Sequence, residues 1–164
     1  SENNERNRKK SFVQGEQFPL LGEECPLYFG GIRPQFSEGR LMIPEKTKNI
    51  GETVIKLYKA KARQIFEERL LYYSALMKTP YRSLRISGAK KRWGSCGRNN
   101  DISLSWRLLM LEPQVIDYLV VHELSHVKHK NHGREYWLEV AKFKPDYKTC
   151  EQLLKRSNAI MDMF

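Results

Sequence analysis

Ile116-Asp117-Tyr118-Leu119-Val120-Val121-His122-Glu123-Leu124-Ser125-His126 sets the reading of the chain around it. Pro113 suits the first turn of a helix, and the apolar run from Tyr118 to Val121 gives that helix a side to bury. The helix is expected to run to about Lys128 or Lys130. Residues four apart on a helix lie on one face, a turn apart, so His122 and His126 can converge on a single ion. Glu123 stands beside the first of them and can reach water on that ion as a general base. The competing reading is a half-buried histidine pair hydrogen-bonded within a core. The helical context and a third histidine nearby favour metal, with His122 and His126 as ligands, Glu123 as catalytic base and one Zn²⁺ per chain as cofactor.

The third ligand is drawn from His129, His132, Glu135 and Glu139. On a continued helix His129 would stand about 10 Å from His122 along the axis, too far to share an ion. His132 would be farther still and rotated off the face, so it ligates only if the chain bends first. Asn131 and Gly133 supply that turn chemistry. His132 is therefore the expected third ligand, with Glu139 and Glu135 as runners-up and His129 as a surface or supporting residue. Three protein ligands leave a fourth position for water, the catalytic arrangement. The His126-to-His132 spacing equals that of metzincin proteases, but His129 occupies their glycine position and the only later methionines, Met161 and Met163, sit at the C-terminal end. Metzincin membership is rejected.

Outward from this stretch, residues 52–77 carry a helical stripe: Val54, Tyr58, Ala62, Ile65, Phe66, Leu70, Tyr73 and Met77. Thr79-Pro80 ends it. Residues 81–87 and 102–106 alternate as strands do, with Arg98-Asn99-Asn100-Asp101 as a turn before the second. The first fifty residues are read as short strands at 18–21, 26–29 and 40–43, with Gly30-Gly31 and Glu38-Gly39 as turns. After a break at Lys130-Asn131-His132-Gly133, one helix covers about 134–143 and another opens at Pro145-Asp146. The layout is α+β. Its expected division is a flexible lead-in over 1–10, a strand-rich part over 11–50, and a catalytic domain over 51–164 holding the long helix, a short sheet, the histidine helix and C-terminal helices, all in one compact unit.

The net charge is +10, and the 69–100 stretch holds eight basic residues and no acidic one. That stretch is a solvated face or a surface for polyanions. The three cysteines, Cys25, Cys96 and Cys150, form no close pair, which argues against a disulfide framework or a cysteine metal site and for a cytoplasmic setting. No segment reads as membrane-spanning.

Arg92-Trp93-Gly94-Ser95-Cys96, Ile102-Ser103-Leu104-Ser105-Trp106-Arg107, the 116–126 stretch, Asn131-His132-Gly133 and Tyr136-Trp137 together resemble the YgjP-like family of small metal-dependent hydrolases. That family is similar to SprT-like and minimal gluzincin-type zinc peptidases, so the resemblance implies a small zincin-like domain. It covers about 82–155 and places His122, His126 and His132 as ligands and Glu123 as base. Ser105 stands where the family has Asn, and Gly133 where it has Ser. Trp93, Trp106, Cys96 and Tyr118 read as packing residues. Arg92, Arg107 and Tyr136 are the candidate substrate contacts.

Three functions follow. The first is a zinc-dependent, metallopeptidase-like hydrolase, with strand 102–106 as the one that would pair with an extended peptide. The second is a nucleoside triphosphate pyrophosphatase of the UTP type, which the resemblance also implies and the basic stretch suits. The third is a SprT-like protease or binding module associated with nucleic acid through its basic surface, with steep salt dependence.

Overall fold

Helix α1 (Ile50–Leu76) starts where the Asn49 side chain accepts a hydrogen bond from the Glu52 amide at 3.1 Å, an N-cap that satisfies one of the free first-turn donors. Val54, Tyr58, Ala62, Phe66, Leu70 and Tyr73 form its buried stripe. It stops at Met77; Lys78 then takes a positive φ of 52° and Thr79-Pro80 leads the chain away. The structure is a computed structural model and describes residues 9–164. The lead-in expected over 1–10 falls, for residues 1–8, outside the described residues, while the Lys10 amide donates to the Met163 carbonyl at 3.0 Å.

A three-stranded sheet follows: β5 (Ser83–Ser87), β6 (Gly94–Cys96) and β7 (Asp101–Ser105), in the order β5-β7-β6. β5 lies parallel to β7, and β6 antiparallel to it. Ile102 and Leu104 are fully buried, while Ser103, Ser95 and Arg85 share the opposite face. Residues 94–96 form a strand to which the sequence reading assigns no element. One expectation changes here. Strand 102–106 ends at Ser105 and is the middle strand, with both edges already paired, so it cannot accept a peptide; the unpaired edges belong to β5 and β6, and β6 is the one that packs on the histidine helix.

Trp106 opens a buried 3-10 turn (Trp106–Met110) that delivers the chain to α2 (Pro113–Lys128). α3 (Arg134–Phe143) and α4 (Tyr147–Arg156) complete four helices among the described residues. α2 packs against α1, α3, α4 and β6. The N-terminal strands β1 (Gln17–Leu20), β2 (Glu23–Phe29), β3 (Gln35–Ser37) and β4 (Arg40–Ile43) make a second sheet in the order β1-β2-β4-β3. Glu38 and Gly39, both at positive φ, turn β3 into β4 as a two-residue hairpin requires. This sheet is joined to the rest by Leu21 N–H to Leu109 C=O at 2.8 Å and by the buried Tyr58 hydroxyl donating to Pro19 C=O at 2.7 Å. Phe18, Tyr58, Trp106 and Phe164 cluster around that junction, with ring centroids 5.4–6.0 Å apart. All three cysteines are free. No described helix is long and apolar enough to cross a membrane.

Tyr58 is fully buried, so Tyr58→Phe removes the donor and leaves the Pro19 carbonyl without its partner. The expected loss is about 1–3 kcal/mol. It is read as a lower midpoint of urea unfolding at unchanged slope.

Candidate metal centre

α2 is apolar on most of its circumference: Val115, Ile116, Leu119, Val120, Val121 and Leu124 are all buried. That packing fixes its rotation and leaves His122 and His126 half-exposed on the remaining face, ring centroids 5.3 Å apart. The helix ends at Lys128. His129 adopts an extended conformation, φ −127° and ψ 99°, and the chain reverses before α3 begins at Arg134. The reversal returns His132 to the face, its Nε2 standing 2.8 Å from that of His126. One ring nitrogen from each of His122, His126 and His132 lies within 4.8 Å of the others. No other group of His, Cys, Asp or Glu converges this way among the described residues.

Three features test whether these residues fit a metal ion. Nitrogens held about 2.0–2.1 Å from one tetrahedral ion stand roughly 3.3 Å apart, within the observed spread. His126 Nδ1 donates to the His129 carbonyl at 3.2 Å, which puts the proton on Nδ1 and leaves the Nε2 lone pair free for a ligand bond. Burial, opposed in part by the Glu123 carboxylate, holds the His126 imidazole below its usual range and favours the neutral, ligating form. His122 Nδ1 is buried without a hydrogen-bond partner and lies 3.5 Å from Glu123 Oε1. The three-histidine cluster could hold a metal ion, and its all-imidazole donor set suits zinc. His129 contributes its carbonyl, not its ring. Of the runners-up, Glu139 is held by Lys128 at 3.2 Å and Glu135 is exposed outside the cluster.

Glu123 is 2% exposed and points towards β6. There Gly94 makes room for it. A Cβ on Gly94 would come within 2.9 Å of Leu104 Cδ2, 3.1 Å of the Ser103 carbonyl and 3.3 Å of Glu123 Oε2. Helix and strand can approach this closely because position 94 has no side chain.

The candidate substrate contacts separate. Arg92 is exposed beside β6. Tyr136 is fully buried, stacks on His126 at 4.5 Å and donates its hydroxyl to the His122 carbonyl at 3.0 Å, so it supports the histidines from behind. Burial pushes its phenol well above the usual range. Arg107 is 4% exposed, lies over the Trp106 ring at 4.3 Å and donates to the Gly88 carbonyl at 3.0 Å. Neither side chain reaches open surface. Ser105 is buried too, its hydroxyl donating to Ala89 C=O at 3.0 Å. Tyr118, Trp93 and Trp106 are packed residues. Burial is the main cause raising the Cys96 thiol above its ordinary pKa, against nucleophilic use. Trp137 enters the sequence pattern only through the family resemblance. Its ring stacks on His132 at 6.0 Å and on Tyr147 at 5.4 Å, forming a wall beside the cluster. Its place one residue after Tyr136 was the available signal.

A helix bearing His-Glu-x-x-His, closed by an imidazole from the reversal after it and flanked by a small sheet, makes an α+β fold similar to that of minimal zincin-type metallopeptidase domains. The chain belongs to the YgjP-like family, whose metallopeptidase-domain model matches residues 1–157. Among solved structures, the metallopeptidase zymogen jannalysin of Methanocaldococcus jannaschii is similar in fold, with a TM-score of 0.51 at 17% identity over 56% of this chain and 95% of that one. The metallopeptidase zymogen abylysin of Pyrococcus abyssi gives 0.49 at 24% identity over 56% and 90%. No curated protein matches.

Two substitutions check this geometry. His132→Ala should strip zinc from the purified protein, weakening binding beyond the roughly 10–100-fold of a lost supporting contact, whereas His129→Ala, which keeps its carbonyl, should retain about one zinc per chain by metal analysis. Gly94→Ala should cost about 1–3 kcal/mol of stability in chemical denaturation, because the added methyl meets backbone as well as side chain.

Proposed function

We propose that this protein is a zinc-dependent peptidase in which His122, His126 and His132 hold the ion and Glu123 is the general base. The observation that carries the reading is the position of Glu123, buried next to the three-histidine cluster and against β6, the edge strand of its sheet that packs on α2. Zinc, when bound, supplies a Lewis acid that polarises a carbonyl and acidifies water. The carboxylate of Glu123 takes the proton of the attacking water and hands it to the departing amine. Tyr136 and the His129 carbonyl hold the histidines in orientation.

The substrate binds along β6. Ser105 N–H bonds Trp93 C=O and Gly97 N–H bonds Asp101 C=O, both at 2.8 Å. In an antiparallel ladder bonded pairs alternate with unbonded ones, so Ser95 faces Ser103 as a bonded pair. The N–H and C=O groups of Gly94 and Cys96 therefore point away from β7 to the free edge, where an extended peptide can pair with them. A nucleoside triphosphate pyrophosphatase is the second reading. What favours it is the exposed, basic character of Arg85 and Arg92 near the same strand.

Casein, short peptides and the four nucleoside triphosphates form the deciding panel, with zinc-loaded Glu123→Gln beside the wild type. Peptide cleavage is expected to fall about 10²–10⁴-fold in the variant at unchanged zinc content. Equal activity of the two proteins on every substrate would refute the general-base role.

A further inference from the structure

The outer face of the β5-β7-β6 sheet, turned away from α2, carries a cavity of about 340 Å³ that the reaction above does not use. Strand register builds its floor. Arg85 is paired across to Ser103, and Ser103 to Ser95, so these three side chains form one row on one face. Ser87, Gly88, Ala89, Arg92 and Gly94 complete the lining. Both arginines are exposed, and neither has an ion-pair or hydrogen-bond partner among the described residues. Asp101, one step along β7 on the same face, is already engaged by Ser83 at 2.7 Å and Arg82 at 3.7 Å. The wall at Gly88 and Ala89 is held from beneath by Arg107 and Ser105. The Arg107 guanidinium is buried, with its Nε unpartnered, and it adds positive charge under the cavity. Two free guanidinium groups above a floor of hydroxyls suit a carboxylate, which accepts from both kinds of donor.

The free edge of β6 says how a carboxylate would arrive. A peptide extending the sheet there alternates its side chains between the two faces. The residue in register with Ser95 sends its side chain to the outer face, beside the cavity, while its neighbours face the metal helix. Strands lie about 4.8 Å apart, so Arg85 sits about 14 Å from a peptide strand beyond β6, three spacings across the sheet, and the lengths of the arginine and of the acidic side chain together span that gap.

We propose that this cavity is a specificity pocket that takes the side-chain carboxylate of an Asp or Glu in a peptide bound along β6, so that the protein selects acidic peptides. The inference rests on the peptidase reading.

Zinc-loaded protein is incubated with a proteome-derived peptide library, and the cleavage sites are mapped by mass spectrometry. Wild type should enrich Asp and Glu on the order of tenfold at one position, the size of a charge-assisted contact. Salt should weaken this preference, since the pocket is open to solvent. Arg85→Gln/Arg92→Gln should bring the enrichment to background. Lys59→Gln/Arg63→Gln, the same charge change on exposed α1 positions, should keep it. Cleavage with no acidic preference, or a preference undiminished in the Arg85/Arg92 variant, overturns the pocket and leaves the peptidase reading standing. Cleavage of no peptide overturns both.

Discussion

Every feature of the site depends on helix α2 being locked in rotation. Its buried residues contact α1, α3, α4 and β6, and each fully buried aliphatic side chain contributes about 1.5–3 kcal/mol to that lock. Asp117 adds direction: both its oxygens accept from Arg69 of α1, at 2.7 and 2.9 Å. A helix free to roll would scatter its two imidazoles. Held on the sides that pack, α2 presents His122 and His126 along the one strip left open, and the histidine face is what remains after the core has been filled.

The end of α2 is the second constraint. Stopping at Lys128 puts His129 in extended backbone, and that single residue then does two things. Its carbonyl fixes the tautomer of His126, and its direction starts the reversal that returns His132. A helix two residues longer would lose both. Tyr136, one turn into α3, closes the arrangement through the His122 carbonyl, so the segment that supplies the third imidazole also braces the first.

The small sheet serves the site through its two faces and its edge. The inner face gives Gly94 to the Glu123 carboxylate; the outer face carries the Arg85, Ser103 and Ser95 row; the free edge of β6 joins them. A strand of three small residues, Gly94-Ser95-Cys96, suits this placement because bulk on its inner face would push the helix away.

The parts of the molecule governed by local periodicity are legible along the chain. The stripe over residues 52–77 gave α1 to within two residues at its start and one at its end, and the two histidines four apart on an apolar helix gave the core of the site. The convergence of the His132 ring, rather than that of His129, on the pair was also legible, since helix geometry alone separates His129 from His122. Tertiary structure decided the rest. Gly94-Ser95-Cys96 lacks strand propensity and becomes a strand only because β7 and α2 lie on either side of it. With β6 as edge, β7 became the central strand and lost the role of pairing with a peptide. Arg107 and Tyr136 carry polar groups that read as substrate contacts, yet packing buried both and turned their donors to backbone carbonyls. Spacing along a chain fixes which groups share a helix face. Which edge stays open, and which polar side chain is sealed behind it, is settled by contacts between segments far apart in sequence.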